Sequence, residues 1–495
     1  MAFALISLAF AYLFYLLLAT ISTLYFHQLC NIPGPKLWIA FPILRYIALV
    51  RGQLDIHMQA FHKKYGEVVR FGPDEVSFIT AQAWKDIYGH GHRQLPKVPH
   101  STSNPSDIIS ANDSDHSRLR RALSHAFSVN GLQSQEPILQ SHVDKLIGRL
   151  KDIAASPTPE ADMVKWYNLT TFDLIGDLAF GEPFGGLESS EYHHWVATIF
   201  QAIRGMAFVK LKNAYPLFFR VLSFFLAPKR LMEARKRQIE YSRTTVQKRL
   251  QNQTNRSCTD FIDSMLQHRG EKDKEITDQE IEANANVLII GGSETTATLL
   301  SGITYWLLRT PDAMRKVTEE VRSIMKTERE ITFHNTANLP YMLACLNEAL
   351  RIYPPVASGL QRMTIPPGLT QISGYQIPPG TKVSVHQTAA YRSPLNFHTP
   401  DHFIPERWLP ETKDDPYSSF YNDKRSVLQP FSVGPRNCIG KNLAYNEMRV
   451  ILARVLWNFD LELCAESRGW ERQRSYLTWE KPPLVYTLSK LNPAS

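Results

Sequence analysis

The stretch Phe431-Ser-Val-Gly-Pro-Arg-Asn-Cys-Ile-Gly440 holds the residues best placed for chemistry. A single thiol, Cys438, lies between Gly434 and Gly440, with Arg436 just before it. Glycine lacks a Cβ, so at 434 and 440 the backbone can pass close to a flat group and aim amide N–H donors at a sulfur. Such donors, with a nearby cation, hold a thiolate ionised and tune it as an iron ligand. A lone cysteine is otherwise a small hydrophobe buried in a turn. The residues around Cys438 decide between the two.

Three further groupings bring acids, bases and hydroxyls together. Gly291-Gly-Ser-Glu-Thr-Thr296 sets an acid and an alcohol, Glu294 and Thr295, beside two glycines. Each glycine costs a helix interior about 1 kcal/mol relative to alanine, so the choice asks for a reason. An acid next to a hydroxyl can pass protons, with ordered water, as a general acid; the plainer reason is a kink or a close helix contact. Glu348-Ala-Leu-Arg351 puts a carboxylate and a guanidinium on one helix face, a spacing that in most proteins is an ordinary surface pair. His116-Ser-Arg-Leu-Arg120 places His116 and Arg120 on one helix face as well, while Arg118 and Arg121 read as a solvated basic face.

The elements that must position these residues are legible in part. Thr277-Asp-Gln-Glu280 is a capping box, which starts a helix near Asp278. Nothing breaks that helix before Thr310 and Pro311, so it runs roughly 50 Å with Glu294 near its centre. Tyr341 to Tyr353 has helical periodicity and stops at Pro354-Pro355, which places Glu348 and Arg351 on a second helix. Ala2 to Phe26 carries no charged residue; as a helix it would rise roughly 37 Å, enough to cross a bilayer with some tilt. A cleaved signal peptide would bring a basic start and a shorter apolar core. The first basic side chains, Lys36, Arg45 and Arg51, follow the segment and place the body of the protein in the cytoplasm. Asn31-Ile-Pro-Gly-Pro-Lys36 then ends the helix. The expected organisation is an anchor at 1–30, a proline-rich hinge at 31–36 and one large domain at 37–495. Residues 216–230, with four phenylalanines before a basic cluster, read either as a buried helix or as a shallow second membrane contact.

Phe431, Gly434, Arg436, Cys438 and Gly440 together resemble the cysteine loop of the cytochrome P450 haem-thiolate enzymes, at every fixed position. The resemblance extends to Gly291–Thr295, to Glu348-Ala-Leu-Arg351 and to Phe403-Ile-Pro-Glu-Arg-Trp408, in family order along the chain. It implies a fold that is mainly α with a smaller β region, preceded by one transmembrane helix. It implies haem b, iron protoporphyrin IX, held through the Cys438 thiolate, whose electron push favours O–O cleavage. Glu294 and Thr295 are then the distal proton relay, and Arg407 completes a buried cluster with Glu348 and Arg351 that fixes the cysteine loop. Arg120, Arg362 and Arg436 are implied propionate partners, with His116 standing where the family's Trp-x-x-x-Arg site has its aromatic residue.

Ala390-Tyr-Arg-Ser-Pro394 and Lys424 to Phe431 look most like fungal microsomal members similar to isotrichodermin hydroxylases. That likeness implies a monooxygenase acting on a small apolar, terpenoid-like secondary metabolite with dioxygen. Its electrons come from NADPH through NADPH–cytochrome P450 reductase, with cytochrome b5 as an additional donor, and its site is the endoplasmic reticulum membrane, with membrane lipid as a partner. Two other classes stay open: a haem-thiolate isomerase or dehydratase working without dioxygen, and a non-catalytic haem sensor. The retained Glu294 and Thr295 weigh against both. The loops near 95–115, 356–361 and 474–479 are the expected pocket lining.

Composition narrows the partners. The net charge is +8 with a pI near 9.1, yet no Lys/Arg run is interleaved with aromatics as in a nucleic-acid groove. Anionic lipid or an acidic protein explains the charge more simply. Five scattered cysteines, an odd number without Cys-x-x-Cys spacing, argue against disulfides and zinc and for a reducing compartment.

Overall fold

Thr277 caps the helix Asp278–Leu308 as its sequence predicts. Its hydroxyl accepts from Glu280 N at 3.2 Å, and the Glu280 carboxylate accepts from Thr277 N at 3.0 Å. The helix stops just short of Thr310, and Pro311 opens the next one, Pro311–Ile324. These elements come from a computed structural model that describes residues 2–98, 107–217, 220, 229–251, 260–266 and 275–490. By backbone proximity the chain forms two compact units: 1–99, 357–401 and 422–437 make the first, and 100–356, 402–421 and 438–495 the second.

The first unit carries the larger sheet. Its strands run in the order Val68–Gly72, Glu75–Phe78, Lys382–Val385, Arg362–Met363, and the two middle strands pair in parallel while the outer pairs are antiparallel. Every residue of the first two strands is buried. The proline-rich hinge is docked onto this sheet: Arg70 N donates to Pro33 O at 2.8 Å, and a Cβ on Gly34 would stand 1.8 Å from Arg70 O. Only glycine permits that approach. Before the hinge, Ala2–Ile21 is helical and Ser22–Phe26 continues as a short π-helical turn. Phe3, Leu8, Phe10, Phe14 and Tyr15 on that helix are each 60% exposed or more.

The second unit is mainly helical. The long helix Asp278–Leu308 packs most extensively on Met163–Phe180, which is buried along nearly its whole length. It also meets Pro340–Ile352 and Lys441–Asn458, and a small sheet of Glu160–Asp162, Val485–Lys490 and Phe459–Leu463 closes the unit. Among the described residues Asp278–Leu308 has the length and apolar character of a membrane-crossing helix, and Phe14–Phe26 is a shorter apolar helical stretch near the amino terminus. The apolar window of the former is 72% buried inside the protein, which makes it a core helix.

Candidate active site

The cysteine loop begins in the first unit. There Gly434 has φ +77°, and a Cβ on it would stand 1.7 Å from Tyr88 O. The turn therefore needs glycine twice over, for its left-handed backbone and for its closeness to Tyr88. Tyr88 is itself fixed, its hydroxyl donating to Leu360 O at 2.6 Å and accepting from Val385 N at 3.2 Å. Burial pushes its pKa up to about 12, so it stays neutral. The Arg362 guanidinium lies 5.7 Å from the Tyr88 ring centroid, so Arg362 meets the ring of the residue whose backbone the Gly434 turn approaches. Phe431 and Arg436 sit on the same loop, half-buried.

Cys438 belongs to the second unit and opens the approach to the helix Lys441–Asn458. The residue is exposed, yet protein surrounds the sulfur closely enough that desolvation pushes the thiol up. A hydrogen bond from the Gly440 backbone and the charges of Arg120 and Lys441 pull the other way. At Gly440 an added Cβ would make ordinary van der Waals contact, its nearest atom being Phe127 Cε1 at 3.6 Å. Arg120 is half-buried on the helix Asp113–Ser124, with His116 buried on the same helix. Cys345, by contrast, is fully buried in Pro340–Ile352, and burial drives its thiol far up.

On the long helix the two glycines divide the labour that the sequence left undecided. Gly292 is a packing glycine, where a Cβ would stand 2.5 Å from Ile175 Cδ1; Gly291 is exposed and has nothing within 4 Å. Thr295 shares the Gly291 face and donates to Gly291 O at 2.6 Å. Glu294 points elsewhere. It is 1% exposed and pairs with Lys481 Nζ at 2.7 Å, while Thr298 donates to the same Oε1 at 3.3 Å. The acid and the alcohol are chain neighbours that the helix does not bring into hydrogen-bond contact.

Glu348, Arg351 and Arg407 do converge, all three fully buried. Arg351 grips the Glu348 carboxylate from two nitrogens, at 2.7 and 2.8 Å, and Arg407 Nε reaches it at 3.2 Å. Trp408 Nε1 and Ile404 N donate to it as well, both at 2.9 Å. Despite the desolvation, these donors hold the Glu348 carboxyl below its usual range. Arg118 corrects the sequence reading. It is no solvated charge but bonds Glu280 and Asp115, at 2.5 and 3.2 Å, whereas Arg121 is exposed.

Two groups escaped sequence reasoning. Lys481 gives no local signal, because its partner lies 187 residues earlier. Glu447, buried on Lys441–Asn458, is raised by burial to about 8 against an opposing hydrogen bond from Thr296; a lone acid in an apolar helical pattern was its only trace.

The residues present fit a haem: a sulfur on an exposed residue with an amide donor and a cation beside it, and an open glycine face on the long helix. Residues 32–488 match the family model described as cytochrome P450. A cytochrome P450 monooxygenase of Penicillium canescens is 58% identical over 481 residues, 97% of either chain. The trichothecene C-4 hydroxylase of Trichoderma arundinaceum is 54% identical, over 95% of this chain and 94% of its own. Averantin hydroxylase of Dothistroma septosporum is 41% identical, over 95% and 89%. The chain belongs to the cytochrome P450 family, whose cofactor is a haem-thiolate, and it is a monooxygenase of fungal secondary-metabolism type.

Proposed function

We propose that the protein oxidises a small apolar, terpenoid-like secondary metabolite, using NADPH electrons passed on by the family's reductase and, in part, by cytochrome b5. The carrying observation is the loop from Gly434 to Gly440, which presents Cys438 Sγ with an amide donor and the Arg120 charge beside it. In this reading Cys438 is the axial ligand, and Arg120, Arg362, Arg436 and His116 hold the propionates. When bound, the haem supplies the activation of dioxygen. The protein's share is to hold the sulfur, to leave room beside Gly291 and to deliver protons from Glu294 and Thr295 through ordered water. Glu348, Arg351 and Arg407 fix the loop without touching the reaction. A relative named as a trichothecene hydroxylase at 54% identity supports the substrate class.

The catalytic domain, taken as 37–495, faces the cytoplasm, and the helix Ala2–Ile21 spans the endoplasmic reticulum membrane. The exposed phenylalanines of that helix support this placement. The second membrane contact considered for 216–230 falls largely outside the described residues.

Deleting the gene should cause one apolar metabolite to accumulate. The purified enzyme with reductase should convert that metabolite with consumption of NADPH and dioxygen. Conversion without either would place the chain with the isomerases instead. Thr295→Ala should keep haem content and the carbon-monoxide spectrum while product per NADPH falls and hydrogen peroxide rises. An unchanged ratio would remove Thr295 from the relay.

A further inference from the structure

Asp55 lies in the first turn of the helix Leu54–Tyr65 and is 2% exposed. An acid in that position usually faces water beside the positive end of its helix. Asp55 instead accepts from Ser358 Oγ at 2.7 Å, across 303 residues. Its other carboxyl oxygen stands 3.6 Å from His386 Nδ1, and the His386 ring meets Phe71 edge-on at 5.6 Å. A buried polar group costs free energy unless it is paired, and this one is paired to an irregular segment, not to a strand or a helix.

That segment, 357–360, is tied at each step. Ala357 O accepts from Thr388 N at 3.2 Å and from Thr388 Oγ1 at 2.8 Å. A Cβ on Gly359 would stand 2.9 Å from Ser384 Oγ and 3.0 Å from His386 Cδ2, so the backbone lies directly on the end of the strand Lys382–Val385. Leu360 O accepts from the Tyr88 hydroxyl, and Tyr88 is the residue whose backbone the Gly434 turn approaches. The neighbouring strands are already in register, Val383 pairing with Val76 and with Arg362, so the Asp55 bond is not needed to align them. What it restrains is Leu360, a large apolar side chain left 37% exposed and linked to the cysteine loop through one tyrosine.

We propose that Asp55 is a positioning residue for substrate. Through Ser358 it fixes the segment that presents Leu360 to an apolar flank of the substrate, and so decides which carbon is oxidised. A displacement of about 1 Å, even one caused far from the chemistry, is enough to misalign a bound reactant. The proposal rests on the monooxygenase reading above, with 356–361 lining its pocket.

The test compares Asp55→Ala, Ser358→Ala, the double variant Asp55→Ala/Ser358→Ala and Leu360→Ala, each purified with haem. Asp173→Ala is the control: it removes an equally buried acid, one that accepts from Gly186 N and Leu187 N. Imidazole and 4-phenylimidazole are titrated by the change in haem absorbance, and only the second carries an apolar group that can meet the pocket wall. Leu360→Ala should weaken 4-phenylimidazole by about fivefold or more while imidazole binds as before. Asp55→Ala and Ser358→Ala should each move that ratio the same way by about threefold, and the double variant no further, because both act through one bond. With reductase and NADPH, the metabolite that accumulates on gene deletion should give an additional positional product in these variants. Asp173→Ala should keep the wild-type ratio and product pattern although its melting temperature falls.

A wild-type ratio and product pattern in haem-replete Asp55→Ala or Ser358→Ala would overturn the positioning role, and additive shifts in the double variant would overturn the shared bond. If Asp55→Ala yields no haem-loaded protein, Ser358→Ala decides in the same way. An equal change in Asp173→Ala would reduce the effect to general destabilisation and overturn the proposal. Should Leu360→Ala leave both measurements unchanged, the pocket-lining role of 356–361 falls, and the inference with it. Should the wild type convert the metabolite without NADPH or dioxygen, the monooxygenase reading falls, while the ratio of the two imidazoles still decides whether Asp55 positions the wall.

Discussion

Each side chain at the site is defined by what desolvates it and what answers that desolvation. Around Cys438, burial disfavours the thiolate, and Gly440, Arg120 and Lys441 favour it. An iron bound there, as proposed, would settle the balance, because a coordinating thiol is deprotonated outright. A serine hydroxyl at 438 is not ionised under the same influences, so Cys438→Ser should abolish turnover and the red-shifted carbon-monoxide band together. A retained band would place the ligand at another residue. The types and spacing of Phe431 to Gly440 are what single this residue out in the sequence. Lys481 was unreadable for an equally physical reason: its meaning comes from one 2.7 Å contact across 187 residues, and no local period encodes such a contact. Arg118 misled on the same ground, since its partner Glu280 lies 162 residues away.

Elements show where local rules suffice and where packing overrides them. The capping box at Thr277 and the proline at 311 marked both ends of the long helix to within a few residues. The glycine pair within it was ambiguous until tertiary neighbours separated a packing glycine at 292 from an open one at 291. The helix Pro340–Ile352 was likewise readable from its period and its terminal prolines. That its Glu348–Arg351 pair is fully buried depends on Arg407, Ile404 and Trp408 arriving from elsewhere. Removing one member strands the rest, at a cost of about 3–5 kcal/mol. Arg351→Ala should therefore give little haem-loaded protein, and Arg351→Lys should not repair it, because an ammonium cannot reproduce the two-nitrogen grip. Normal haem content in either variant, measured on purified protein, would contradict a structural role for the cluster.

For the whole molecule, the proposed anchor sets the amino-terminal helix apart from the rest of the chain. Ala2–Ile21 exposes large apolar side chains, while the hinge after it is pinned to the sheet at Gly34 and Arg70. Deleting residues 1–30 keeps that pin, so the shortened protein should leave the membrane fraction on centrifugation and still bind haem. Loss of haem from it would make the segment part of the folded body. The parallel pairing of Glu75–Phe78 with Lys382–Val385 carries a separate consequence, for the ribosome. The second strand emerges about 300 residues after the first, roughly 15–60 s later at translation rates of about 5–20 residues per second. Throughout that interval the nascent chain has an open strand edge at Glu75–Phe78, a template for pairing with the wrong chain. The demand for chaperones thus falls on synthesis, before any haem can be captured, and not on the finished enzyme.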